Sequence, residues 1–411
     1  MEIKKENASV PKTSLDNRLT YVDGVRGIAA ILVVFCHLSC VFLPGLYYAE
    51  QANTVFEKIW LETPLNIFTN GDAAVQCFFL LSGFLITRKI YTSSSKRVSS
   101  PLATYVKFLN IVIPGTIFAA ILMVAGQMYH LKALDLNAEL EFVRTYNTFD
   151  VSLLGVIKEI FVLIFINGST YVGPFWTIRY EMFGSLLVMA ISCFVYQKMT
   201  NRKTSYLVAG AVILLLLPKM HFLPFWLGMF LYECIYSESE DTVIGKVLSF
   251  ISDKKLIIFG LFVIGVYLFT VNFEMNSIWK LLNYIPYIGD SSENVRALGF
   301  AICFFCIYKS DMAKKILSCR ICVFLGKVSA YVYAFHWPII LSLGCGLYIL
   351  LQNVSYHLAV AIISVVCISV SVLIAFAYVK VSPKIMAIEN KLWVKCVDIA
   401  AYLKNKIFFR A

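Results

Sequence analysis

The chain has 411 residues, 59% of them hydrophobic and 15% charged, with a formal net charge of +11 and a mean hydropathy of +0.76. A soluble domain carries roughly 25% charged residues, so this composition excludes one. Repeated apolar runs of about 20 residues without strand-like alternation exclude a β-barrel. The excess Lys and Arg fall between the runs, the pattern of cytoplasmic loops facing anionic lipid rather than of a nucleic-acid surface. The expected class is therefore all-α, a polytopic transmembrane helical bundle.

The first 18 residues, MEIKKENASVPKTSLDNR, are polar, and the run after them is long and carries ionisable groups. It lacks the form of a cleaved leader and is expected to stay in the membrane. Apolar segments cover 25–43, 72–90, 108–129, 151–167, 176–197, 205–218, 222–237, 255–271, 296–309, 328–351 and 357–380. Basic clusters sort their sides. They are Lys4, Lys5, Lys12 and Arg18; Arg88, Lys89, Lys96, Arg97 and Lys107; Lys198, Arg202 and Lys203; Lys309, Lys314, Lys315, Arg320 and Lys327; and the tail from Lys380 to Arg410. All reach the cytoplasm if one segment between Lys107 and Lys198 does not cross. Segment 151–167, interrupted by Lys158 and Glu159, is expected to be that re-entrant or interfacial helix. About ten spans remain, with both termini cytoplasmic. Residues 1–20 then form an N-terminal tail, 21–381 the transmembrane domain and 382–411 a basic C-terminal tail. SSSKRVSSP at 93–101 is a short linker, and the long loops near 44–71, 130–175 and 272–295 are external. The cysteines lie mostly inside apolar runs, where Cys behaves as a small hydrophobe. Cys303/Cys306 and Cys319/Cys322 have C-x-x-C spacing without partners for a metal site, so none is expected.

Four islands mix polar residues into the apolar runs. In the first, YVDGVRGIAAILVVFCH, Arg26 and His37 are eleven positions apart. Eleven positions is almost a whole number of helical turns, so both side chains share a face, roughly 16 Å apart along the axis. Asp23 lies near the same stripe. Ionisable groups inside a span are strongly disfavoured unless they face protein or a wet cavity, and they usually serve function. The second island, GDAAVQCFFLLSGFLITRK, has Asp72 at its mouth and Ser82-Gly83 deep within. The third, FWTIRYEMFGSLLV, brings Trp176, Arg179 and Glu181 to the start of a span. The fourth, VSAYVYAFHWPII, holds His336 and Trp337 ahead of Pro338. The last three also have plain structural readings. Ser82 and Gly83 suit small-residue helix packing, Trp176 a belt aromatic, Arg179 and Glu181 an ion pair, and His336 a bond to a neighbouring backbone.

In this order, the islands resemble the membrane acyltransferase-3 family, integral-membrane O-acyltransferases that modify bacterial surface glycans. The family's L-D-G-L-R-G-x-A-A stretch ending in His is similar to Tyr21–His37, including Asp23, Gly24, Arg26, Gly27 and His37. Its F-F-x-L-S-G-F motif resembles Phe78, Phe79, Leu81, Ser82, Gly83 and Phe84, and its W-S-L-x-x-E motif Trp176, Thr177, Ile178 and Glu181. Its S-Y-x-x-Y-x-x-H-x-P motif resembles Ser329, Tyr333, His336 and Pro338, with Ala330 where Tyr is usual. One departure concerns the third span, which in the family often begins with several arginines before a proline. Here Lys107 and Pro114 remain, and Ile111 stands where an arginine is common. The resemblance ties that cluster to the acyl donor, so either the donor contacts differ or they fall to Arg88, Lys89 and Lys107.

The resemblance implies transfer of an acyl group, most often acetyl, from acetyl-CoA to a hydroxyl of a cell-surface or lipid-linked polysaccharide (O-antigen, capsule or exopolysaccharide) in a bacterial inner membrane. Acetyl-CoA is then a co-substrate, with no bound cofactor and no metal. Neutral imidazole suits removal of a hydroxyl proton near pH 7, so His37 is the expected general base or, alternatively, the acyl carrier of a ping-pong step. Arg26, Arg88 and Lys107 are expected at the donor, since cationic side chains pair with phosphate. Glu181 would orient His37 or the acceptor, and Asp23 would pair with Arg26. Ser82, Gly83, Trp176 and His336 would support the site. The expected partners are acyl-CoA, the glycan and membrane lipids, not nucleic acid. The competing reading is a transporter, flippase or polymerase of a lipid-linked glycan, since transporters also place charges near the midplane. No inverted repeat is visible, which weighs against a transporter.

Overall fold

The apolar run after Leu19 folds as α1 (Thr20–Phe42), one unbroken helix of 23 residues. At 1.5 Å per residue it is about 35 Å long, enough to cross a bilayer. It is followed by α2 (Gly71–Thr92), α3 (Pro101–Val124), α4 (Trp176–Lys198), α5 (Arg202–Leu216), α6 (Leu223–Tyr236), α7 (Lys255–Phe269), α8 (Ser292–Lys309), α9 (Arg320–Ile339) and α10 (Tyr356–Phe408). The computed structural model describes residues 19–92, 101–166, 168–199, 202–216, 221–236, 254–272 and 292–408. The expected N-terminal tail up to residue 18, the linker at 93–100, most of the 272–295 loop and the last three tail residues lie outside the described residues. Among the described residues there is no β-strand; the chain is an all-helical, polytopic bundle.

Among the described residues, six helical stretches have the length and composition to cross a membrane: Thr20–Phe42, Gly71–Thr92, Pro101–Val124, Gly173–Gln197, Arg320–Leu350 and Tyr356–Pro383. The remaining four segments read as spans are α5, α6, α7 and α8, of 15, 14, 15 and 18 residues. At roughly 21–27 Å they are shorter than a ~30 Å hydrocarbon core. Segment 151–167 is broken into a helix at Leu153–Lys158, a wide π turn at Glu159–Leu163 and a last turn at Ile164–Ile166. Its fully buried Glu159 turns the chain back on itself. The carboxylate accepts from Ser169 Oγ at 2.6 Å, Thr170 N at 2.7 Å and Thr170 Oγ1 at 3.2 Å. A buried carboxylate needs such donors, and these three fix the loop that leads into α4.

α1 stands at the centre. Its main partner is α9, and it also packs on α2. Glycines allow the approach: a β-carbon at Gly326 would lie 2.1 Å from the Asp23 carbonyl oxygen, and one at Gly27 would lie 2.5 Å from the Gly326 nitrogen. Without a hydrophobic drive between helices in lipid, such close packing is what associates them. Two apolar cores meet along α1. Its starting half, with Val22, Val25 and Ala29, packs with α2, α6 and α8. Its far half, with Val34, Leu38 and Phe42, packs with α3, α9, α10 and the segment 133–175. That segment caps the far end of the bundle.

Candidate active site

The far half of α1 carries His37. Its Nδ1 lies 2.9 Å from the Val33 carbonyl and 3.2 Å from Nε2 of His336 on α9. His336 in turn presents Nδ1 to the carbonyls of Tyr333 and Val332, at 2.9 and 3.2 Å. A carbonyl only accepts, so each Nδ1 carries the proton. His336 Nε2 is then the acceptor for the His37 N–H, and Nε2 of His37 keeps a bare lone pair. Among the described residues no group bonds that atom. His336 is fully buried, whereas His37 keeps part of its surface open to a cavity of about 130 Å³. This is smaller than the ~300–1,000 Å³ of drug-sized ligand sites, so it suits one small group rather than a chain.

The cavity wall is aromatic with a few polar groups. Trp337 meets His37 edge-on, with ring centres 5.4 Å apart, and packs on Tyr146 of the capping segment at 4.8 Å. His130 Nε2 lies 2.8 Å from the Tyr146 carbonyl, so that nitrogen carries the proton and donates it. Burial pushes the His130 pKa down, and its other ring nitrogen is buried without a partner. Asp72, at the start of α2, lines the rim and meets Arg296 of α8 at 3.2 Å. Arg296 is nearly buried, and its Nε donates to the Val271 carbonyl at 3.0 Å. Trp176 also lines the cavity, its ring centre 5.3 Å from that of His221.

Closer to the start of α1 lies a second polar cluster. Ser82 of α2 donates to Glu181 of α4. The charges of Lys107 and Arg26 both act on Glu181, and they act on each other. Ser82, Arg26 and Glu181 are half-buried and Lys107 is exposed. Tyr333 joins the two clusters. Its hydroxyl donates to the Pro174 carbonyl, lies 2.6 Å from Thr177 Oγ1 and feels the Glu181 charge, while its ring lies 5.8 Å from His336.

The structure thus brings His37 and His336 together at one place, and Arg26, Lys107, Glu181 and Ser82 at another. Asp23 sits in the first turn of α1 with its backbone against Gly326, about 21 Å along the helix from His37. Arg88 acts on a different neighbourhood, the hydroxyls of Tyr21, Tyr232 and Tyr236. At Gly83 a β-carbon would lie 2.1 Å from the Phe225 carbonyl oxygen, so its lack of a side chain lets α6 pack there. The sequence reading assigned no role to Tyr333, Tyr146 or Arg296. Arg296 opens an apolar run and reads as its edge, and Tyr146 lies in a loop without periodicity. Among the described residues no three His, Cys, Asp or Glu side chains are grouped to hold a metal ion.

Compared with known proteins, the chain matches no curated protein and no solved structure. The family described as an acyltransferase domain, acyltransferase 3, matches residues 19–376, which take in both polar clusters and every helix from α1 to α9. The chain belongs to this acyltransferase-3 family and is a membrane acyltransferase.

Proposed function

We propose that this protein moves an acetyl group from cytoplasmic acetyl-CoA to a hydroxyl of a cell-surface or lipid-linked polysaccharide, in the inner membrane of a bacterium with both chain termini in the cytoplasm. The observation that carries the reading is the bare Nε2 of His37, a side chain that is held by two bonds at Nδ1 and lines a small cavity. In this reading the hydroxyl enters the cavity from the capped, external end. His37 Nε2 takes its proton as the oxygen attacks the thioester carbonyl. The carbon–sulfur bond breaks, and the departing thiolate recovers the proton from His37 as free coenzyme A. While His37 is charged, its Nδ1–H bond to His336 becomes charge-assisted and stronger.

Arg26 and Lys107 would take donor phosphates at the cytoplasmic end, where the basic clusters lie. By helix rise Arg26 is about 16 Å from His37, a span suited to the extended arm that joins the nucleotide of coenzyme A to its sulfur. Glu181 and Ser82 would order the Arg26–Lys107 pair, and Tyr333 and Thr177 would line the passage between.

Membranes containing the protein, given radiolabelled acetyl-CoA and the host's glycan, should yield labelled glycan; a flippase or polymerase would yield none. Cysteines introduced at Thr92 and Arg202 should react with an impermeant thiol reagent only from the cytoplasmic side. Reaction of the two from opposite sides would refute the topology.

A further inference from the structure

Cys36 and Cys40 are one helical turn apart on α1, flank His37 in sequence and line the same cavity. Both are free thiols, and their sulfurs are 3.9 Å apart. Gly71 leaves the room that one of them needs: a β-carbon there would lie 2.6 Å from the Cys36 sulfur. The carboxylate of Asp72 acts on the Cys40 thiol, and the Tyr47 hydroxyl bonds it.

The helix keeps this pair reduced. Residues four apart on a helix hold their β-carbons ~5–6 Å apart, whereas a disulfide needs about 3.5–4.5 Å. An inserted atom bonded to both sulfurs meets no such limit. Two collinear bonds of ~2.3 Å would need the sulfurs about 4.6 Å apart, so the observed 3.9 Å suits a bent centre. The apolar span also favours a product without net charge. A monovalent ion that displaces two thiol protons leaves an anion. Trivalent arsenic carrying one organic group leaves a neutral, pyramidal bis-thiolate.

We propose that Cys36 and Cys40 form a dithiol site in the wall of the His37 cavity that captures trivalent arsenic. With phenylarsine oxide the step is complete as written: two S–H bonds break, two As–S bonds form, and the oxygen leaves with both protons as water. No oxidant or reductant is needed. The captured group occupies the cavity beside His37 Nε2 and stops acyl transfer, a consequence that rests on the function proposed above.

The test uses the full-length protein in detergent, with Cys319 and Cys322 changed to Ser to remove the C-x-x-C pair near the start of α9. Intact mass after phenylarsine oxide should show one phenylarsine that is absent from both Cys36→Ser and Cys40→Ala. If one of these fails to fold, by size-exclusion profile, the other decides. Acyl transfer should fall at least tenfold, recover with dithiothreitol but not with a monothiol, and no longer respond to the arsenical in whatever activity Cys36→Ser supports. Unchanged arsenic stoichiometry in the folded variants overturns the dithiol site. Arsenic bound at Cys36 and Cys40 with transfer undiminished leaves the site standing and overturns the cavity as the place of acyl transfer.

Discussion

At Arg26 the interior of the bundle gathers cations around a carboxylate; at His37, about 16 Å along the same helix, the wall is mainly aromatic, with the Asp72 carboxylate at its rim paired to Arg296. The first cluster gathers two cations around one carboxylate. Such a place can hold an anionic ligand without dehydrating it fully. The second gathers two imidazoles whose hydrogen bonds account for one proton each. There the protein has replaced solvent by fixed dipoles, which favours a proton transfer that needs little reorganisation. On the function proposed above, this contrast is a division of labour: donor binding at one end of α1, bond making at the other.

The largest expected effect tests that division directly. His37→Ala should lower acyl transfer by roughly 100- to 10,000-fold, the usual worth of a positioned general base. Its level in the membrane should stay normal, since the cavity already exposes part of the side chain. His37→Gln should be equally inactive. A well-expressed His37→Ala protein that still labels glycan would remove bond making from this end.

Arg26→Ala should act at the other end. Loss of one charge-assisted hydrogen bond is worth about 1.5–3 kcal/mol, so KM for acyl-CoA should rise roughly 10- to 100-fold while kcat changes less. Arg26→Lys should recover only part, because a lysine lacks the bidentate fork. If kcat falls and KM holds, the two ends are not separate in function.

His336→Ala should be milder. It removes the acceptor that steadies the charged form of His37, so kcat should fall about tenfold, in line with one hydrogen bond to a charged group, while KM for the donor holds. The pH at which transfer is half-maximal should fall, because without that acceptor His37 gives up its proton more easily and its neutral, catalytic form persists to lower pH. An unchanged profile would make His336 a packing residue only.

The smallest effect concerns the cap over the cavity. Burial pushes the His130 pKa below its ordinary value, so the folded cap refuses a proton that the unfolded segment binds. Stability from this group is fully present above about pH 6.5 and is lost as pH falls through the window beneath it. Protection of residues 130–150, measured as hydrogen exchange relative to the intrinsic rate at each pH, should therefore fall between pH 7 and pH 5. His130→Asn, which keeps a donor but does not titrate, should flatten that response.

Much of this was legible beforehand, for identifiable reasons. The shared face of Arg26 and His37 follows from helical spacing, and α1 is unbroken between them. The interruption at Lys158 and Glu159 marks a segment that the structure breaks into short turns. Other features were not legible. Asp72 and Arg296 meet across 224 positions of sequence, and nothing local to either announces the other. Cys36 and Cys40 read as small hydrophobes, which is how most buried thiols behave. The cavity whose wall they join is completed by Phe142, Tyr146, Gly173 and Pro174 of the capping segment, whose loops carry no periodic signal.

Composition, run length and charge placement by themselves determined that this chain is a helical membrane protein, because a bilayer admits few solutions to unpaired backbone groups. The ordered motifs determined its family. Only the tertiary structure decided that His37 meets His336, 299 positions away, which nitrogen of each carries the proton, and that one end of α1 gathers cations around a carboxylate while the other is walled by aromatic rings. Periodicity specifies the faces of one helix. Which faces meet depends on where glycines let backbones approach, and on loops whose course is set by particular hydrogen bonds, such as those gathered by Glu159.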